Sequence, residues 1–370
     1  MKSKVLYTLV SFVFLCSVAI AQQSRVYVSR PSAAAEIKQK VGVTDVIINY
    51  SRPQVILPNG NDRTGQIYGT VLAHYGLANP YPTFGSGESF PWRAGANENT
   101  TITFSTDVKI EGQPLKAGTY GFFIELSEDG NETLIFSENA TSWGSFFYKK
   151  EEEVLRVKIK SQSTDFTNIL TYDFESISTA DAVIVLKWEN KKFPFKLEVA
   201  TNDLILTEYR SKLPEWNDPK EYMMAANFCL QNRINYEEGM SWIEKALEAG
   251  IDFRRLGIKG GLIYRTNGMD AALPILDQAA KIANQAELNS LAYQLMQLGN
   301  TEKAMEYFKL NVKRHPDNAN GYDSLGDGYA ALGEREKAIE SYQKAISMDP
   351  PRPIKDHAIA QLKKLGVDYN

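Results

Sequence analysis

The sequence contains little cysteine and little histidine, with two and three of these residues in a chain of 370. Cys16 lies in an N-terminal stretch that we expect to be removed, which leaves Cys229 alone and excludes an intramolecular disulfide. His74, His315 and His357 are not at ligand spacing with one another or with Cys229. The sequence therefore predicts no metal site and no cofactor, and it predicts packing or solvated roles for the three histidines.

Signatures of catalysis and of nucleic-acid binding are also lacking. The chain has no GxSxG elbow, no HExxH motif and no phosphate-binding loop motif. Its formal charge of -4 becomes more negative when Lys2 and Lys4 leave with the N-terminal stretch. Because nucleic-acid phosphates require a basic surface, this balance argues against such a partner. The sequence thus gives no positive sign of an enzyme, although it leaves enzymatic activity open.

Long hydrophobic runs are limited to residues 5–20, which follow Lys2 and Lys4 and end in the small residues Ala19 and Ala21. A basic start, an apolar stretch and small residues before polar sequence are typical of a secretory signal peptide. Residues 1–21 are therefore predicted to be a leader, and the mature protein is not expected to span a membrane. We expect it in the periplasm, with outer-membrane-associated or extracellular location as alternatives.

Residues 22–200 show an alternating hydrophobic pattern with a period of two. Leu155, Val157 and Ile159, for example, alternate with basic residues, which is typical of a half-buried strand. Further strands are predicted at residues 35–40, 44–51, 100–105, 108–110, 119–126, 133–137, 167–176, 182–188 and 193–199. Pro194 favours an edge position for the last of them. Two stretches rich in Gly, Pro and Asn, residues 56–65 and 76–90, are predicted to be long surface loops.

After residue 200 the hydrophobic period changes to that of a helix. Residues 201–218 are predicted to be a linker helix segment, in which the helix covers residues 202–213 and is ended by Pro214. Residues 319–352 then carry the spacing of a helical hairpin with small residues where two helices approach. The positions that carry this pattern are Tyr322, Leu325, Gly326, Tyr329, Gly333, Ala338, Tyr342, Ala345 and Pro350.

This pattern resembles a tetratricopeptide (TPR) unit, and it recurs upstream. Units that begin near Lys220, Arg254 and Gln285 match the same positions, the second of them imperfectly. Residues 219–352 are therefore predicted to form about four TPR-like units, and residues 353–370 a C-terminal capping helix. The predicted fold is a multidomain chain, with an N-terminal all-β antiparallel sandwich followed by an all-α TPR solenoid.

The β region carries several short motifs of its own. They are residues 32–53, Ile67-Tyr68-Gly69, residues 92–101, residues 115–120 and Trp143-Gly144. By these motifs the region resembles the DUF2911 family. The resemblance implies an exported bacterial protein whose β domain is often followed by TPR units, and it implies no particular activity.

One polar and aromatic set in the β region is a candidate ligand site. It comprises Tyr50, Arg52, Tyr68, Trp92, Arg93, Asn97, Glu98 and Trp143. Such groups hold sugars and carboxylates, because rings stack on C–H faces and guanidinium groups bind anions. Three interpretations stay open: Arg52 and Arg93 pair with Glu98 to fix loops, the set binds a glycan or small anion, or Glu98 serves in hydrolysis.

The first helices of the predicted repeats supply a candidate partner site. Its residues are Phe228, Leu262, Arg265, Tyr293, Asp323 and Asp327. This face begins apolar and ends acidic, which suits a protein segment with some basic character, or packing against the chain's own β domain. The first functional hypothesis is therefore an exported, non-enzymatic interaction protein that binds an unidentified protein partner through its repeats.

Overall fold

The computed structural model describes residues 30–368, and the chain divides into two compact units after Thr201. The leader predicted at residues 1–21 lies outside the described residues.

Within residues 30–201 the first unit forms ten β-strands in two antiparallel sheets. The strands are β1 (Ala33–Val41), β2 (Thr44–Arg52), β3 (Thr101–Phe104), β4 (Val108–Ile110), β5 (Gln113–Leu115), β6 (Gly118–Glu125), β7 (Asn131–Ser137), β8 (Glu153–Lys160), β9 (Gln162–Ile177) and β10 (Asp181–Val199). The larger sheet has the order β1-β2-β3-β6-β7-β8, and the smaller sheet has the order β5-β4-β10-β9. The predicted antiparallel β architecture is confirmed.

The main core of this unit lies between the two sheets. Phe122 of β6 stacks on Phe195 of β10 with ring centroids 5.7 Å apart, and Tyr50 of β2 meets Tyr172 of β9 edge to face at 4.7 Å. Alternate residues of a strand point to one face, so the period of two in the sequence supplies one inward row of side chains per strand. These rows form a single cluster of buried side chains.

A smaller core covers the other face of the larger sheet. Phe123 of β6 points away from the main core, and it packs with Phe90, Ile135, Phe146 and Tyr148. Phe90 belongs to the segment 76–90, in which residues 81–89 are exposed. This segment, predicted as a surface loop, therefore covers part of the sheet with its last residue.

Pro194 lies in β10, which is an inner strand of the smaller sheet. The pairing of β10 with β9 ends at Lys192, and its pairing with β4 begins at Leu197. Pro194 thus falls in the short interval between two ladders, where its missing N–H removes no ladder bond. The sequence predicted an edge strand from this proline, but β10 as a whole is an inner strand. Only the short interval around Pro194 lies outside both ladders.

Within the described residues, which end at 368, the second unit is helical, and its first helix begins at Thr201, the last residue of the first unit. The helices are α1 (Thr201–Trp216), α2 (Pro219–Asn232), α3 (Tyr236–Leu247), α4 (Phe253–Asn267), α5 (Met269–Ile282), α6 (Gln285–Gln297), α7 (Thr301–Arg314), α8 (Ala319–Ala331), α9 (Arg335–Ser347) and α10 (Arg352–Lys364). The pairs α2/α3, α4/α5, α6/α7 and α8/α9 are four helical hairpins, and α10 follows the last of them. The predicted repeat architecture is confirmed.

The first helix of this unit continues past the end predicted for it. Pro214 lies inside α1, which ends at Trp216. The Asn217 amide still donates to the Leu213 carbonyl at 2.9 Å. A proline in the last turn removes a single N–H donor, so the helix carries on for two more residues instead of ending there.

Candidate functional site

The aromatic members of the predicted ligand set pack in the core of the β unit. Trp92 is 2% exposed and stacks on Trp188, with ring centroids 6.0 Å apart. Tyr68 is half-buried against both rings, and its hydroxyl donates to the Trp188 carbonyl at 2.9 Å. Burial raises the pKa of Tyr68 above its ordinary value. Tyr50 is buried as well, so these three rings offer no open face to a sugar.

Arg52 holds two strands together. Its Nε donates to the Leu170 carbonyl at 3.0 Å, and its Nη2 donates to the Thr171 hydroxyl at 2.7 Å. Both acceptors lie on β9, across the core from the strand that ends with Arg52. These charge-assisted bonds account for this guanidinium within the fold.

Arg93 lies under the segment around Trp143-Gly144. Its Nη1 donates to the Asn97 carbonyl at 3.0 Å, and its guanidinium stacks on the Phe146 ring at 4.5 Å. Gly144 has a positive φ of 59°, and a Cβ at this position would come within 2.4 Å of Arg93 Nη1. The glycine of this motif therefore leaves room for the arginine.

The remaining members of the set lie at one exposed surface. Glu98 forms an ion pair with Arg30, and the Arg30 guanidinium lies 5.0 Å from the centroid of the Trp143 ring, which is 40% exposed. Asn97 Nδ2 donates to the Ser32 carbonyl at 3.0 Å. Desolvation raises the pKa of Glu98, but the hydrogen bond from Arg30 lowers it, and the net shift is downward.

The structure thus separates the eight predicted residues into three groups. Tyr50, Tyr68 and Trp92 belong to the core, and Arg52 bridges two strands. The other four belong to the Trp143-Gly144 segment or lie beside it, together with Arg30; they are Arg93, Asn97, Glu98 and Trp143. One interpretation of the sequence paired Arg52 and Arg93 with Glu98. In the structure the ion-pair partner of Glu98 is Arg30. Arg30 was missed because it lies 68 residues from Glu98 in sequence, without a motif to connect them.

The N-terminal members of the predicted partner site differ in exposure. Leu262 is 0% exposed and belongs to the core of the first hairpins. Phe228 is half-buried, with its ring 6.2 Å from that of Tyr209. Arg265 is exposed, and its guanidinium lies 5.5 Å from the Tyr264 ring centroid. Phe228 and Arg265 can therefore meet a partner, whereas Leu262 packs the hairpins together.

The acidic members of that site are engaged within the array. The Tyr293 hydroxyl donates to Asp327 Oδ2 at 2.6 Å, and the Tyr342 hydroxyl donates to Asp327 Oδ1 at 2.7 Å. Asp323 is 5% exposed, and its carboxylate lies 2.8 Å from His357 Nδ1. The expected acidic outer face is therefore largely an internal network. The repeat positions of Asp323 and Asp327 could be identified from the sequence, but the contact of Asp323 with His357 on α10 could not.

Burial affects the carboxyl group at the centre of this network. Desolvation raises the pKa of Asp323, while the hydrogen bond to His357 opposes the shift. Gln361 Nε2 lies 2.9 Å from His357 Nε2, which fits a tautomer with the proton on Nδ1. Burial likewise raises the pKa of Tyr293 and of Tyr342.

A pocket of about 400 Å³ opens among the first three hairpins. Residues of α2, α4, α5 and α6 line it, and its apolar walls include Leu230, Tyr264, Leu276, Leu291 and Leu295. Pockets of this size are typical of sites that take a ligand or an inserted side chain. None of the six residues predicted for the partner site is among its lining residues.

Other chemical sites are not evident in residues 30–368. No group of three or more His, Cys, Asp or Glu side chains in this range is arranged to hold a metal ion. None of the helices in this range combines the length and the apolar character needed to cross a bilayer. Cys229 is buried, and burial raises the pKa of its thiol to about 11, which disfavours the reactive thiolate.

Taken together, two antiparallel sheets followed by stacked helical hairpins define a multidomain protein with a helical-repeat array. A family described as "Protein of unknown function (DUF2911)" matches residues 32–197, and a tetratricopeptide repeat matches residues 319–352. The first unit of the chain is therefore a DUF2911 domain, and the second contains a tetratricopeptide repeat. Both resemblances predicted from sequence motifs are confirmed. No curated protein matches the chain.

Several solved structures resemble part of the chain. YrrB, described as "a TPR protein with an unusual peptide-binding site", has 24% identity and a TM-score of 0.31, covering 44% of this chain and 84% of its own. A TPR repeat-containing protein from Cytophaga hutchinsonii has 15% identity and a TM-score of 0.33, covering 44% and 70%. MamA from Desulfovibrio magneticus has 21% identity and a TM-score of 0.29, covering 40% and 84%.

Proposed function

We propose that this protein is a non-enzymatic interaction protein whose helical array binds a segment of a protein partner. The observation that carries the proposal is the pocket of about 400 Å³ among the first three hairpins. The hairpin cores on both sides of it are otherwise filled with buried side chains. A stacked array that leaves an apolar pocket at one place offers a partner a defined position to bind.

The charged groups of the array point to its N-terminal half as the available surface. At the C-terminal end, Asp323 and Asp327 already bond to His357, Tyr293 and Tyr342. An incoming basic segment would have to break these bonds and leave buried hydroxyl groups without acceptors. Binding at Phe228, at Arg265 or in the pocket breaks none of these bonds. The partner is therefore expected on the first three hairpins.

Site-specific photo-cross-linking in cells that produce the protein tests this proposal. A photoreactive phenylalanine at Gln294, an exposed position on the pocket wall, should yield a discrete adduct with another protein. The same probe at Lys313, an exposed position of α7 that does not line the pocket, is the matched control. Equal adducts at both positions, or none at either, would argue against a partner at this surface.

The place of action remains part of the proposal. The basic residues, the apolar stretch and the small residues at the start of the sequence support export across the inner membrane. We therefore propose that the partner is met in the periplasm or at the outer membrane. Fractionation of cells that produce the full chain, with mass determination of the mature N-terminus, tests this step; a cytoplasmic, uncleaved product would contradict it.

A second candidate function is glycan binding by the β unit. The specific observation is Trp143, a 40% exposed ring with Arg30 and Glu98 beside it. An exposed indole next to charged hydrogen-bonding groups suits a sugar ring. Arg30 lies over the ring, however, so a sugar would have to displace it. A thermal-shift screen of glycans with Trp143→Ala as the control tests this candidate, and a screen without any Trp143-dependent shift would exclude it.

Hydrolysis by Glu98 finds no support in the same geometry. The net downward shift of the Glu98 pKa favours the ionised carboxylate, whereas a general acid must hold a proton near neutral pH. The ion pair with Arg30 further stabilises the charged form. We therefore propose no reaction for this carboxylate.

A further inference from the structure

The wall of the pocket among the first hairpins includes Gly257, a glycine inside α4. When the first helices are aligned by their capping residues Asp252, Asn284 and Asn318, Gly257 corresponds to Asn289 of α6 and Asp323 of α8. The preceding residue, Leu256, corresponds to Leu288, and both are buried in the hairpin cores. The second repeat therefore has no side chain at a position where the two later repeats carry a polar one.

Packing does not require a glycine at this position. A Cβ added to Gly257 would meet nothing within 4 Å, because the residue faces the pocket. Gly260 and Gly261 of the same helix are different, since their Cβ atoms would come within 2.4 Å of Leu276 and 2.8 Å of Leu230. Glycine destabilises the interior of a helix relative to alanine. At Gly257 no neighbouring helix is close enough to require a glycine, so helix packing does not account for this loss of stability.

The polar groups around the pocket indicate what can enter it. Arg254 and Glu287 are its two charged lining residues. Glu287 accepts a hydrogen bond from the Asn284 amide in a capping box, whereas Arg254 is exposed and forms no hydrogen bond or ion pair with any residue in the range 30–368. An anionic group in the ligand would therefore meet an available guanidinium.

Amide side chains from two helices line the same pocket. Asn227 and Gln231 come from α2, and Gln294 comes from α6. The side chains of all three make no hydrogen bond within the part of the chain that the structure describes. An amide donates and accepts in the same way as a peptide group, so these residues match the main chain of a polypeptide better than an apolar small molecule.

We propose that the pocket over Gly257 receives a bulky apolar side chain from an extended polypeptide segment, and that an acidic residue of the same segment binds Arg254. The partner's side chain then fills the space that Gly257 leaves open. This inference rests on the proposed function and adds the chemistry of the partner to it. It also places the contact between hairpins, at residues other than those predicted from the repeat pattern.

Peptide selection on the full chain tests the inference. Random peptides displayed on phage should converge on an aromatic or large aliphatic residue with Asp or Glu close by in sequence. The affinity of a selected peptide, measured by fluorescence anisotropy, should fall on the order of tenfold with Gly257→Leu, which fills the pocket, and with Arg254→Glu. Lys281→Glu, a charge reversal at an exposed lysine that does not line the pocket, should leave it unchanged.

A graded variant separates pocket filling from misfolding. Gly257→Ala adds one methyl group in open space, so it should fold, as judged by circular dichroism, and reduce the affinity less than Gly257→Leu does. Selected peptides that bind all variants equally would overturn the inference but not the proposed function. Failure to enrich any peptide would also overturn it, whereas absence of a cross-link from Gln294 would count against the proposed function itself.

Discussion

His357 Nδ1 lies 2.8 Å from a carboxylate oxygen of Asp323, and this contact joins the last helix of the array to the helix two elements before it. His357 is on α10 and Asp323 is on α8. The same imidazole has its Nε2 3.9 Å from Asp327 Oδ1 and bonds to Gln361 on its own helix. Capping helices cover the last apolar face of a repeat array. Here the packing of α10 also includes a polar contact that depends on the protonation state of Asp323.

This contact predicts a pH dependence of stability in the acid range. Burial raises the pKa of Asp323 above its ordinary value of 3.8, so the folded chain binds the proton more tightly than the unfolded chain does. The contribution of Asp323 is then fully favourable below pH 3.8 and is lost as pH rises through the raised folded pKa. We expect Asp323→Asn, which keeps an acceptor for the Nδ1 proton, to gain stability relative to the natural chain across that window.

Urea unfolding of both proteins at several pH values between about 3 and 6 measures the difference. The free energies of unfolding should diverge as pH rises. Parallel curves would mean that Asp323 titrates normally in the folded chain.

Asp327 predicts a strong effect on the free energy of unfolding. Its two carboxylate oxygens each accept a hydrogen bond from a tyrosine, Tyr293 of α6 and Tyr342 of α9. Asp327→Ala leaves both hydroxyl groups without acceptors and should cost about 2–4 kcal/mol, whereas Tyr293→Phe removes one donor and should cost about 1 kcal/mol. Thermal unfolding compares the two variants.

Equal losses for Asp327→Ala and Tyr293→Phe would show that solvent already satisfies the second hydroxyl. The expected difference has a practical consequence for partner binding. Substitutions at Asp327 or Tyr293 disturb the stack, so loss of a partner from such variants would not locate the binding surface.

The contact between Arg93 and Gly144 predicts a coupled effect of two substitutions. Gly144→Ala places a methyl group 2.4 Å from Arg93 Nη1 on a residue with φ of 59°, so we expect a loss of about 2 kcal/mol. In an Arg93→Ala background the collision is absent, and the cost of Gly144→Ala should fall to about 1 kcal/mol, the strain of the left-handed backbone. A double-mutant cycle by urea unfolding gives the coupling.

A coupling near zero would mean that Arg93 moves aside without cost, and that Gly144 is there for its backbone conformation alone. The cycle therefore separates two physical reasons for the glycine of the Trp143-Gly144 motif.

The sequence predicted the two architectures well, because each rests on a local period. Alternating burial gave strands such as β8, and the spacing of Tyr322, Gly326 and Tyr342 gave a helical hairpin in which a Cβ on Gly326 would lie 2.5 Å from the Tyr342 ring. Such patterns need no knowledge of distant residues.

The candidate sites were predicted less well, because they depend on contacts between distant residues. The partner of Glu98 is Arg30, which is 68 residues away, and not the nearby Arg93. Leu262 was expected at the surface but lies in the core. A helix turns by about 100° per residue, so a small error in aligning an imperfect repeat moves a residue from one face to another.

The glycines of α4 provide the last prediction. Gly257 faces open space, so Gly257→Ala should stabilise the chain by about 1 kcal/mol, the helix propensity difference between the two residues. The Cβ of Gly260→Ala would lie 2.4 Å from Leu276 Cδ2 and 3.1 Å from its Cγ, so overpacking should outweigh this gain and give a net loss of about 1 kcal/mol. Opposite shifts of the melting temperature are expected, because the two residues lie on one helix and differ in what they face. A melting temperature lowered by both substitutions would show that the space over Gly257 is closed in solution, and the pocket could then not receive a partner's side chain.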